Sequence, residues 1–60
     1  MRFREFTVGM RVVDRGYRNK LGVGRVLEKT KRRLLVQFVV GAEPVWYDAP
    51  HAAQFLDVAP

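Results

Sequence analysis

The sequence of 60 residues holds no cysteine and no serine, and its one histidine is His51. Without thiols there can be no disulfide staple, and one imidazole leaves too few nitrogen or sulfur ligands for a zinc site. Acyl-transfer chemistry needs a nucleophile beside a base. Here the hydroxyls are confined to Thr7, Thr30, Tyr17 and Tyr47, and none sits in a recognisable spacing with His51 and a carboxylate. The acidic residues are scattered without the spacing of a calcium loop. Gly22 and Gly24 lack the third glycine, the Lys-Ser/Thr pair and the following helix of a phosphate loop. The reading is therefore a non-enzyme, with no catalytic residue, no metal ligand and no cofactor.

Long apolar runs are missing as well, whereas a membrane-spanning helix needs about 20 consecutive apolar residues. Met1-Arg2-Phe3-Arg4 is basic but no apolar core follows, so no signal peptide is read. These absences lead to the expectation of a cytoplasmic protein without a membrane partner, as a monomer or weak oligomer. A chain of this length makes one domain with a thin core, since a 60-residue domain buries only about 60% of the surface its unfolded form exposes. The expected division is a single domain over residues 1–60, with 1–5 as an N-terminal extension.

Lys and Arg are missing from Leu34 onward. All eleven Lys and Arg lie between Arg2 and Arg33, alongside three acids, whereas the stretch from Leu34 to Pro60 holds three acids and no base. A charge asymmetry of this kind points to a polyanionic partner, although a charged surface also serves solubility.

What is present is a series of short, β-branched segments between turn signals. Strands are expected at Met10–Asp14, Val23–Lys29, Arg33–Val39, Val45–Asp48 and Gln54–Val58, with turns at Val8-Gly9, Asp14–Gly22, Thr30–Arg32 and Val40–Pro44. Pro50–Ala53 reads as a single helical or 3₁₀ turn, with proline in a first-turn position where its missing N–H costs nothing. Arg33–Val39 alternates most clearly, with Leu34, Val36 and Phe38 on one face and Leu35, Gln37 and Val39 on the other. Five short strands at this spacing suggest an all-β, five-stranded barrel, since closure removes exposed edges. The expected core is Val12, Val23, Val26, Leu34, Val36, Phe38, Tyr47, Phe55 and Leu56. Trp46 alternates with Val45 and Tyr47 and is placed on the outer side.

Two cationic clusters are candidate binding elements. Arg15, Arg18 and Lys20 share a loop with Tyr17, and Lys29, Lys31, Arg32 and Arg33 flank the second hairpin. Cations interleaved with an aromatic suit a phosphate backbone with a base stacked on the ring. The same residues also read as a solvated hairpin, with Tyr17 packed over one end of the domain. Trp46 reads either as an anchor for a partner or as a cap on the core. A methyl-lysine cage would need three or four convergent aromatics, more than the core leaves free.

Three stretches carry a resemblance: Phe6-Thr7-Val8-Gly9-Met10-Arg11-Val12, Leu21-Gly22-Val23-Gly24-Arg25-Val26, and Leu34-Leu35-Val36-Gln37-Phe38. Together they resemble the Tudor-like, SH3-fold modules of bacterial transcription-associated proteins. Such modules are found at the N-terminus of RapA-type Swi/Snf ATPases, in UvrD/PcrA helicases, and in CarD and Mfd. The likeness runs from Phe6 to about Phe55, with Tyr47 and Pro50 also matching. This chain is more basic in its first half and carries no ATPase motif. If it is the first domain of such an ATPase, the motor lies beyond Pro60. The resemblance implies an SH3-like barrel with a short helical turn before the last strand. It also implies RNA polymerase as partner, engaged by adding a strand to a sheet edge. The rival expectation is sequence-nonspecific nucleic-acid binding by the basic flank. The second hairpin, from Val26 through Arg33 into Val36, is the expected free edge.

Overall fold

A computed structural model describes residues 1–41 and 43–60. A 3₁₀ turn at Phe3–Glu5 leads to strand β1 (Arg11–Asp14), and a second 3₁₀ turn at Asn19–Leu21 leads to β2 (Val23–Lys29). A hairpin then returns as β3 (Arg33–Phe38), followed by β4 (Val45–Asp48), helix α1 (Ala49–Phe55) and β5 (Leu56–Val58). Of the turn expected at Val40–Pro44, Ala42 lies outside the described residues.

All five strands join one antiparallel sheet in the order β4-β3-β2-β1-β5. The expected barrel is not formed: β4 and β5 each have one neighbour, and no ladder joins them. The reason lies in what connects them. α1 runs from β4 to β5 and packs against β3, β4, β5 and the first 3₁₀ turn. Side chains thus cover this end of the core where a ladder would have run. The expected free edge at the second hairpin is also corrected. β2 and β3 are both paired on two sides, so the open edges belong to β4 and β5.

The helix exceeds the single turn read at Pro50–Ala53. Ala49, Ala52, Ala53 and Gln54 form helix readily, and Pro50 stands in the first turn. The helix therefore takes Gln54 and Phe55 away from the expected fifth strand, which is left with Leu56–Val58. β2 and β4 have the expected bounds, and β1 and β3 are each one residue shorter than expected.

The core is Phe6, Val12, Val26, Leu34, Val36, Phe38, Tyr47, Ala52 and Leu56. Val23 and Phe55, expected inside, are half-buried. Val23 alternates out of phase with the buried Gly24 and Val26, and Phe55 packs beside Gly16 at the rim. Their places are taken by Phe6 and Ala52. Residues 1–5, read as an extension, include Phe3, which packs partly buried against the core, with its ring centroid 6.5 Å from that of Phe6. Gly24 is required by close approach: an added Cβ would stand 2.6 Å from Val36 Cγ1 and 2.9 Å from Phe38 Cδ1.

Candidate binding surfaces

The loop after β1 is built on a buried carboxylate. Asp14 ends β1 and is 3% exposed. Its Oδ1 accepts the Gly16 N–H at 2.6 Å, an Asx-type turn, and its Oδ2 accepts the Tyr47 hydroxyl at 2.5 Å. The next residue, Arg15, donates its backbone N–H to the Phe55 carbonyl at 2.7 Å, tying the loop to the end of α1. Burial, and after it the Asp14 hydrogen bond and charge, push the Tyr47 hydroxyl well above its ordinary pKa; Arg18 opposes them by a smaller amount.

Arg18 joins this loop to β4. Its guanidinium lies 4.4 Å from the Tyr17 ring centre and 5.5 Å from that of Tyr47. Tyr17 is 74% exposed, so the phenol stands out from the loop with Arg18 against its ring. Arg15 forms an exposed ion pair with Asp57 at 3.7 Å, an interaction of small energetic value in water. Lys20 is exposed on the 3₁₀ turn Asn19–Leu21.

The second cationic cluster divides. At the hairpin tip, the Thr30 N–H donates to the Arg33 carbonyl at 2.9 Å, and the Thr30 hydroxyl oxygen accepts the Arg33 N–H at 3.0 Å. This holds Lys31, Arg32 and Arg33 in solvent. Lys29, expected among the binding cations, is turned inward instead. The ladder shifts by one residue between Val26 and Glu28, so that Glu28 faces Leu35 and Lys29 faces the core residue Leu34. Its ammonium donates to the Phe6 carbonyl at 2.7 Å and sits 4.8 Å from the Phe3 ring centre. Lys29 thus pins the N-terminal segment to the sheet.

Trp46 and Tyr47 are neighbours in sequence and point to opposite faces. Tyr47 is in the core; Trp46 is 41% exposed on the outer face, with the Arg33 guanidinium 4.1 Å from its ring centre. Leu35 stands directly across from Trp46, and Glu28 across from Leu35.

The same face brings together two residues that sequence reasoning had not selected. Arg11 on β1 directly opposes Arg25 on β2, and Arg25 opposes Gln37 on β3. These three, with Val23 and Val39, line an open groove of about 370 Å³. The signal was present in the alternation: Arg11 precedes the buried Val12, and Arg25 lies between the buried Gly24 and Val26. The register that opposes them was not.

The candidate residues therefore do not form one site. Tyr17 and Arg18 meet beside Tyr47, Arg33 and Trp46 meet on the outer face, Lys29 is half-buried against the N-terminal segment, and Arg15, Lys20, Lys31 and Arg32 are exposed. Among the described residues, no three His, Cys, Asp or Glu side chains gather as a metal site, and no helix is long and apolar enough to cross a membrane. Set beside known proteins, the chain matches no family model, no curated protein and no solved structure.

Proposed function

We propose that the chain is a non-catalytic binding module of the transcription apparatus that docks onto RNA polymerase through the open edge of β4. The observation that carries this reading is that β4 is an edge strand with Trp46 exposed beside it. The Ala49 N–H is bonded to the Arg32 carbonyl at 2.7 Å. Antiparallel pairing alternates from there, which assigns the backbone groups of Tyr47 and Val45 to β3 and turns those of Trp46 and Asp48 outward. A strand from a partner can add to these groups, its side chains meeting Trp46 on one face. Lys31, Arg32 and Arg33, at the hairpin next to this edge, favour encounter with an acidic surface. The polymerase as partner rests on the resemblance of Phe6 to Phe55 to Tudor-like modules of transcription-associated proteins.

A proline at position 48 tests the edge. The φ of Asp48 is −65°, the value that proline imposes, and its side chain makes no capping bond. Asp48→Pro therefore deletes an outward N–H without straining the fold. The expected result is retention of the parent chain on bacterial core RNA polymerase at low salt, and its loss in Asp48→Pro at an unchanged melting temperature. Equal retention of the two proteins would refute the edge, and no retention of the parent would refute the partner.

A further inference from the structure

Apart from the β4 edge, the outer face of the sheet carries a second pattern, and it is out of balance electrostatically. Like charges directly opposite each other destabilise an antiparallel pair, yet Arg11 faces Arg25. Neither arginine is neutralised: among the described residues, the one ion pair is Arg15–Asp57. Gln37 extends the row, and its side-chain amide is held by the carbonyls of Phe38 and Gly41 at 3.1 and 3.2 Å. The groove beside these residues is completed by apolar Val23 and Val39, the latter 79% exposed.

Two residues further along β3, the row changes character. Leu35 and Trp46 stand side by side there, with Arg33 stacked on the indole. Successive rows on one face of a strand are about 6.7 Å apart, twice the rise per residue. The face thus offers a paired cationic row and, one row away, a flat aromatic and aliphatic surface. Glu28 and Asp48 flank the Trp46 end, so phosphate is favoured at the Arg11–Arg25 end and an uncharged ring at the other.

We infer that this outer face binds single-stranded nucleic acid, with a backbone phosphate between Arg11 and Arg25 and an unstacked base on Trp46 and Leu35. A single strand fits because its bases are free to lie on an aromatic side chain, which those of a duplex are not. The inference shares Trp46 on β4 with the proposed docking edge but does not depend on polymerase docking: its phosphate site is on β1 and β2, and Asp48→Pro leaves Arg11, Arg25 and Trp46 in place.

The chain reports on this site directly, since Trp46 is its single tryptophan. Its fluorescence is followed while the full chain is titrated with a short oligothymidylate, with the corresponding duplex, and with poly-glutamate. The expected result is quenching by the single strand, with affinity falling as salt rises. Arg11→Gln/Arg25→Gln is expected to weaken binding roughly tenfold and to flatten the log–log salt slope by about 1.4, at about 0.7 for each phosphate released from a single strand. Arg15→Gln/Arg18→Gln/Lys20→Gln removes more charge from the loop and is expected to cost less than about threefold. Thermal melts show whether the variants fold, and Arg25→Lys, which keeps the charge, is expected to keep binding. Three results would each overturn the inference: no binding at low salt, duplex or poly-glutamate binding as tightly as the single strand, or the loop variant losing as much affinity as Arg11→Gln/Arg25→Gln.

Discussion

The two faces of the sheet are made from the same strands and follow opposite rules. Inward, Val12, Val26, Leu34, Val36, Phe38 and Tyr47 close on one another and on Phe6 and Ala52, and the one buried carboxylate, Asp14, is fully engaged with Gly16 and Tyr47. Outward, Arg11 faces Arg25 without a counter-ion, and Leu27, Val39 and Trp46 remain in solvent. The inner face is satisfied by the chain itself; the outer face is not. Small domains have little stability to spare, and it is on this unbalanced outer face that the proposed nucleic-acid site lies.

The contrast is sharpest in what substitutions should do. Phe38→Ala removes an inward ring that packs over Gly24 and lies 6.3 Å, centre to centre, from the Tyr47 ring. A loss of about 3–5 kcal/mol is expected, comparable to the whole stability of so small a domain. Equilibrium urea unfolding measures it, and a variant that unfolds with the parent's midpoint would show that the inner face is not the core.

Tyr47→Phe is a smaller inward change. It leaves the Asp14 carboxylate buried with one donor fewer, at an expected cost of about 1–3 kcal/mol. The same pair predicts a pH dependence. Unfolded, Tyr47 ionises near its ordinary pKa of about 10; folded, burial first and Asp14 second hold its proton to higher pH. The unfolded state thus loses the proton first. The stability contributed by neutral Tyr47 is complete below about pH 10 and declines as pH rises beyond it. Chemical unfolding at stepped alkaline pH should show this decline in the parent and a shallower one in Tyr47→Phe.

On the outer face the sign is expected to reverse. Arg25→Thr suits a strand and removes the like charge facing Arg11, so stability should hold or rise, by up to roughly 1 kcal/mol. Its melting temperature should also depend less on salt than the parent's. A loss above about 1 kcal/mol would erase the distinction between the two faces, by showing that Arg25 supports the fold rather than a partner.

Much of the inner face was legible because it repeats. Leu34, Val36 and Phe38 alternate with Leu35 and Gln37, and that period puts three side chains on one side however the strand is paired. Trp46 was readable as outward by the same argument from Tyr47. Phe6 was not, since a single aromatic in an irregular segment has no period to place it. It is packed into the core by the fold, and its carbonyl accepts the Lys29 ammonium from 23 positions away. The half-buried setting of Lys29 was not legible either, because one unpaired residue after Val26 reverses the faces for the rest of β2. Asp14 carried a local signal, an acid two residues before Gly16, but its bond to Tyr47 spans 33 positions.

The sequence by itself determined that there are five strands and placed four of them to within a residue, because alternation and turn residues are local, and it determined that the chain's positive charge is concentrated before Leu34. It also determined that thiol chemistry is absent, since no cysteine is there to supply it. Only the tertiary structure decided that the sheet stays open. Whether β4 meets β5 depends on how α1 packs between them, a contact between elements that no local pattern encodes. Register was likewise decided there: Arg11 and Arg25 are 14 positions apart and become neighbours only through the pairing of β1 with β2. Pairing is set by which faces must be buried together, so the outer face, with its opposed arginines and stacked Trp46, is a consequence of how the inner face closes.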